Sequence, residues 1–218
     1  MSNATLIIGE SGTGKSTSIR NLDESETFII NVLDKPLPFK GFKKRYIKVS
    51  KDGGNYFVSD DYNDILKSIK YISDNRPEIK NIIIDDYQYI MANEFMRRAM
   101  DRGFDKFTEI GQHAWKIIEY SVKCRDDLFF FFLSHSELDS AGRFKCKTIG
   151  KMIDNTITLE GMFTTVLHTT VMDGKYKFIT QNNGVHIAKS PMGMFESIYI
   201  DNDLNQVKTH MNNYYSGE

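Results

Sequence analysis

Cysteine is scarce in this 218-residue chain. There are two, Cys124 and Cys146, with neither a C-x-x-C partner nor a nearby histidine pair. That excludes a disulfide framework and a cysteine-histidine metal site, and it fits a reducing cytoplasm. Net charge is also nearly absent: 28 Lys and Arg stand against 29 Asp and Glu, a formal charge of −1. A protein that coats duplex DNA by overall basicity is thereby excluded, and any contact with nucleic acid has to rest on a local patch. No apolar run approaches the roughly 18 residues of a membrane span, so no membrane partner is expected. The first strand runs at once into a glycine-rich loop, which is not how a signal peptide is built. No internal repeat is present. The length suits a single α/β domain over residues 1–218 with one full core.

What is present is concentrated near the start. Gly9-Glu10-Ser11-Gly12-Thr13-Gly14-Lys15-Ser16-Thr17 fits G-x-x-x-x-G-K-[ST] and follows the apolar run Thr5-Leu6-Ile7-Ile8. That is the pattern of a phosphate-binding P-loop, or Walker A motif. Glycines let the backbone approach a phosphate while successive N–H groups turn inward to cradle its oxygens. Lys15 adds a point charge for the β- and γ-phosphates, and Ser16 opens the following helix and offers its hydroxyl to Mg²⁺. The motif predicts a nucleotide with Mg²⁺ as ligand, taken as ATP, against the alternative of a chance glycine-rich turn.

Further along, residues 26–32 read as a buried strand that ends at Asp34-Lys35-Pro36-Leu37-Pro38, because neither proline can donate to a ladder. Between Lys35 and Lys51, seven basic residues (Lys35, Lys40, Lys43, Lys44, Arg45, Lys48, Lys51) interleave with Phe39, Phe42 and Tyr46. Single-stranded DNA asks for that mixture of cations and stacking faces; a solvated strand edge guarded by lysines accounts for it equally well. A helix capped by Asp61 or Asn63 should fade by Pro77. Asn81-Ile82-Ile83-Ile84-Asp85-Asp86 then has the continuous β-branched run of a central parallel strand, ending in a Walker B motif. Ligands of open parallel sheets sit beyond the carboxyl ends of strands. Asp85 is therefore expected to hold Mg²⁺, and Asp86 to orient or deprotonate the attacking water. Asp86 as a helix N-cap is the other reading, and Glu10 and Asp34 are rivals for the base.

Helices are predicted over 87–100 and 107–124, the second with Phe107, Ile110, Ala114, Ile117 and Ser121 on one face. Trp115, His113 and Met91, Met96 and Met100 read as packing. The run 128–133 is another buried strand, delivering Ser134-His135-Ser136 to the Walker end of the sheet; His135 either senses the γ-phosphate or caps the strand. Residues 164–172 and 175–181 flank Asp173-Gly174, a type I′ hairpin signal, which with its surroundings forms a C-terminal extension over about 160–200.

This order of elements resembles the RecA-like branch of P-loop ATPases. More closely, Ile84-Asp85-Asp86-Tyr87-Gln88-Tyr89, Leu133-Ser134-His135-Ser136-Glu137, Lys147-Thr148-Ile149-Gly150-Lys151 and Ala188-Lys189-Ser190-Pro191 are similar to phage-encoded nucleotide-binding proteins whose relatives act as ATPases in single-strand annealing recombination. The resemblance implies a mainly parallel sheet flanked by helices, an ATPase acting with single-stranded DNA in the bacterial host cytoplasm, and a homo-oligomer in which Lys147 and Lys151 of one subunit complete the site of the next. Those two lysines otherwise form a solvated pair. A RecA-type glutamate after the second strand is missing; only Asp34 stands there. A nucleoside- or nucleotide-type kinase, kept open by Arg97, Arg98 and Arg102, and a non-hydrolysing assembly module are the alternatives.

Overall fold

Two apolar runs, Ile82-Ile83-Ile84 and Phe129 to Leu133, fix the centre of the molecule. In the computed structural model, which describes residues 2–149 and 157–217, they lie side by side as neighbouring parallel strands with Ile82 opposite Phe130 and Ile84 opposite Phe132. The strands are β1 (Asn3–Gly9), β2 (Thr27–Asn31), β3 (Tyr56–Val58), β4 (Asn81–Asp85), β5 (Phe129–Leu138), β6 (Phe144–Cys146), β7 (Thr165–Met172), β8 (Lys175–Ile179) and β9 (Tyr199–Asp201). The helices are α1 (Phe42–Arg45), α2 (Tyr62–Asn75), α3 (Gln88–Arg97), α4 (Asp105–Val122) and α5 (Leu204–Ser216), with short 3₁₀ turns at Ser16–Asn21 and Leu159–Met162.

The sheet order is β3-β2-β4-β5-β1-β7-β8-β9, with β6 paired to β5. Strands β3 through β7 in that order run parallel, and β8 and β9 are antiparallel. This is a mixed α/β architecture with a mostly parallel central sheet between helices. Because side chains alternate along a strand, the apolar runs feed two cores. Ile82, Ile84, Phe130 and Phe132 face α2, α3 and α4. Ile83, Phe129, Phe131 and Leu133 face Ile19 of the first 3₁₀ turn and Leu204, Val207 and Met211 of α5. A strand buried on both faces has no use for polar alternation, which is why these sequences show none.

Several expectations are met in the chain. Asp61 caps α2, accepting from the N–H groups of Asn63 and Asp64, and Ile110, Ala114, Ile117 and Ser121 are buried along α4. Asp173 and Gly174 both have positive φ, at 50° and 72°, as a type I′ turn between β7 and β8 requires.

Others are corrected. The segment after the loop, expected as a continuing helix, is a six-residue 3₁₀ turn. The expected C-terminal hairpin, β7 with β8, joins the main sheet, since β7 also pairs in parallel with β1. Met91 is buried, but Met96, in the last turn of α3, and Met100, beyond its end at Arg97, are exposed at 67% and 93%. Cys124 and Cys146 are buried free thiols. No helix among the described residues is long and apolar enough to cross a membrane.

Candidate functional site

Parallel pairing places Gly9 opposite His135 and Asn31 opposite Asp85, so the ends of β1, β2, β4 and β5 share one edge of the sheet. There they surround a cavity of about 290 Å³ whose walls include Gly14, Lys15, Ser16, Lys35, Asp85, Asp86, His135 and Tyr176.

The loop 9–17 is moulded against the C-terminal third of the chain. Gly9 has no room for a side chain: a Cβ there would lie 1.9 Å from the Thr169 hydroxyl of β7. Thr13 Oγ1 is 2.5 Å from the same hydroxyl. Gly14 has φ +97° and rests against the ring of Tyr176 on β8, a left-handed backbone in a tight space that suits glycine twice over. Ser11 and Gly12 form the exposed tip. Lys15 folds back across the loop, donating from Nζ to the carbonyls of Gly9 and Glu10, both at 2.8 Å. Burial pushes its ammonium down from the ordinary 10.5 to about 8, against the pull of Asp86 and Asp85.

Ser16 Oγ donates to Asp85 Oδ1 at 2.8 Å, joining two motifs 69 residues apart. Asp85 is 4% exposed. Its carboxyl is raised to about 6, first by burial and then by the charge of Asp86, with the Ser16 bond working in the other direction. The next residue turns away from the strand in the left-handed region, Asp86 having φ 65°, a conformation that aspartate accepts at modest cost. Its carboxylate meets Lys35 Nζ at 2.7 Å and His135 Nε2 at 3.5 Å. Burial alone would raise the Asp86 carboxyl, but the hydrogen bonds and charges of His135 and Lys35 hold it below the usual range. Gln88, buried at the start of α3, accepts from Ser134 Oγ and from His135 N, which fixes the histidine at the rim.

Of the residues singled out from the sequence, Lys15, Ser16, Asp85, Asp86 and His135 line this one cavity. Asp86 is not a helix cap: α3 begins at Gln88 behind Tyr87, and no side chain caps it. The rivals for its role lie elsewhere. Asp34 pairs with Lys48 at 2.9 Å, and Glu10 is exposed and contributes its backbone carbonyl. Lys147 is exposed beside β5, its N–H bonded to the carbonyl of His135. Lys151 lies outside the described residues. His113 pairs with Glu94 at 2.9 Å and stacks on Tyr62.

The basic stretch 35–51 divides. Its aromatic faces point inward: Tyr46 is 3% exposed, and Phe39 and Phe42 pack against the core in edge-to-face contact with one another. Arg45 is tied to Glu24 and to the carbonyls of Arg20 and Leu22. Lys40, Lys43, Lys44 and Lys51 remain exposed, without stacking partners from these rings. Lys35 belongs to the cavity instead, which its position just past a strand end on the ligand-binding edge was enough to signal. Tyr176 carried no motif.

Among the described residues, no three His, Cys, Asp or Glu side chains converge as a metal-holding cluster. Ser16 and Asp85 nevertheless offer the hard oxygen donors, a hydroxyl and one carboxylate, with which proteins hold a magnesium ion whose remaining positions go to phosphate and water. Comparison with protein-family models and with curated proteins gave no match.

Proposed function

We propose that this cavity binds ATP with Mg²⁺ and hydrolyses the terminal phosphate, in the manner of a RecA-like P-loop ATPase. The observation that carries the reading is the Ser16–Asp85 hydrogen bond. A chance glycine-rich turn has no reason to set its serine against the carboxylate that closes a distant strand; a Mg-nucleotide site needs that pair as neighbours. Ser16 and Asp85 would hold the ion, which supplies charge neutralisation to the phosphates when bound. Lys15, once released from the carbonyls of Gly9 and Glu10, gives the β- and γ-phosphates a cation. Asp86 faces the cavity as the group that orients water and takes its proton, with His135 beside it. The order of β1, β2, β4, β5 and the β7–β8 hairpin agrees with the RecA-like resemblance. On that resemblance the substrate partner is single-stranded DNA in phage recombination or replication, contacted by the exposed lysines of 35–51, and the working unit is a homo-oligomer.

Phosphate release from Mg-ATP tests the reading, measured alone, with single-stranded DNA, and with nucleoside acceptors. Acceptor-independent release that falls in Lys15→Met and Asp85→Asn supports it. Release only with an acceptor transfers the protein to the kinases, and tight binding without turnover makes it an assembly module.

A further inference from the structure

We propose that Lys35 is a catalytic cation that engages the terminal phosphate of the nucleotide within its own chain, with Asp86 as its resting counter-ion; this rests on the nucleotide reading above. Its backbone is held with unusual firmness for a loop residue. The side chain of Asn31, 1% exposed, grips it on both sides, donating from Nδ2 to Lys35 O at 2.9 Å and accepting from Lys35 N at 3.2 Å. Tyr56 Oη donates to the same carbonyl at 3.3 Å. Pro36 follows and restricts the Lys35 backbone further. The side chain is the free part: 54% exposed, it crosses the cavity mouth to Asp86 and passes Tyr89, with Nζ 5.4 Å from the ring centre. A pinned root carrying a four-carbon stem with a point charge is suited to exchange one anion for another across a short space.

The chemistry asks for such a group. In hydrolysis the water oxygen bonds to the γ-phosphorus. The bond from that phosphorus to the β–γ bridging oxygen breaks with its electron pair going to ADP, and the proton of the water goes to Asp86 and then to solvent. Negative charge collects on the γ-oxygens and on the leaving group, and the loop 9–17 provides Lys15 as its side-chain cation. Lys35 neither gains nor loses a proton in this scheme; it balances charge. When it leaves Asp86, His135 remains against the other carboxylate oxygen, so the base keeps a partner. A merely structural Lys35–Asp86 pair would not require the backbone of Lys35 to be fixed by Asn31 and Tyr56.

The experiment compares Lys35→Met, Lys35→Arg and Lys15→Met with the wild type. It measures affinities for Mg-ATP and Mg-ADP, the single-turnover rate of phosphate release, and a melting curve for each protein. Lys35→Met should melt like the wild type. Its ATP affinity should fall roughly 10- to 100-fold, the size of a lost charge-assisted hydrogen bond, with ADP affinity held within about twofold. Its turnover should fall roughly tenfold or more. Lys35→Arg, which keeps the cation, should recover much of both. Mixing Lys35→Met with Lys15→Met should give no more activity than the separate proteins. A wild-type rate and ATP-to-ADP preference in Lys35→Met overturns the proposal while leaving the nucleotide reading intact, and so does recovery in the mixture. A wild type that binds neither nucleotide overturns both.

Discussion

Replacing Lys15 with methionine should make the ligand-free protein more stable and, on the proposed function, abolish its stabilisation by Mg-ATP. Lys15 is 7% exposed, and burial lowers its ammonium from 10.5 to about 8. At about 1.4 kcal/mol per unit, keeping the charge inside the fold near neutral pH costs about 3 kcal/mol. Methionine removes the charge at similar length. The carbonyls of Gly9 and Glu10 then lose their donor, which takes back about 1–2 kcal/mol, so the net gain is about 1–2 kcal/mol. For a chain of this size that is roughly 2–8 °C in Tm. The pH dependence has a definite sign. Below pH 8 both states hold the proton and the full cost is present. Between about 8 and 10.5 the folded state releases it while the unfolded state does not, so wild-type stability gains on the variant and the gap closes. Urea or thermal melts of the two proteins across pH 6.5 to 10.5, with and without Mg-ATP, are the assay. A variant no more stable than wild type at pH 7, or a gap that does not change with pH, would refute the reasoning.

On the proposed function, Asp86→Asn should bind Mg-ATP near normally, since asparagine also accepts positive φ, while phosphate release falls by roughly 10²- to 10⁴-fold; unchanged turnover removes Asp86 from the mechanism. His168 on β7 is 2% exposed, and neither ring nitrogen meets a partner among the described residues. Burial and the nearby His186 lower its pKa to about 3, below the unfolded value near 6.5, so stability is lost as pH falls from 6.5 toward 3. At pH 4.5 the loss is about 3 kcal/mol, and acid melts of His168→Leu should be spared it; parallel acid profiles would contradict this. Gly9→Ala should destabilise by about 1–3 kcal/mol through its clash with Thr169, and a double-mutant cycle with Thr169→Ala should show the two changes to be less than additive in thermal melts. Phe131→Ala, which empties a fully buried position of β5, should cost about 3–5 kcal/mol by urea denaturation.

The centre of the fold was legible because burial on both faces leaves a crude mark: Ile82-Ile83-Ile84 and the phenylalanines of β5 have one plausible home, a strand between layers. Loop 9–17, Asp85 and Asp86 were legible because they carry a pattern, a G-x-x-x-x-G-K-[ST] run and an acidic pair closing a β-branched strand. The elements that escaped are short or weakly patterned. Strands β3, β6 and β9 have three residues each, too few for a period to register. Helix α5 did carry a signal, Asp203 as cap with Leu204, Val207 and Met211 at helical spacing, but in a polar tail that reads as loop. Lys35 belongs to a basic run by sequence, and only its place just past a strand end and before a proline separates it from those neighbours. The inward turn of Phe39, Phe42 and Tyr46 is a tertiary fact; an aromatic residue has the same spelling whether it stacks on a base or fills a core.

The dependence of loop 9–17 on β7 and β8 also sets an order of events at the ribosome. The Thr169 and Tyr176 that close around the loop are made some 160 residues after Gly9. At about 5–20 residues per second, that leaves β1 for roughly 10–30 s without the neighbour that completes its second edge. During that interval Leu6, Ile7 and Ile8 are apolar residues on an unpaired strand, the kind of segment chaperones hold and edge pairing captures. On the proposed function, phosphate binding therefore waits for β7 and β8, and a fragment stopping short of β7 should carry the whole glycine-rich motif and lack the site.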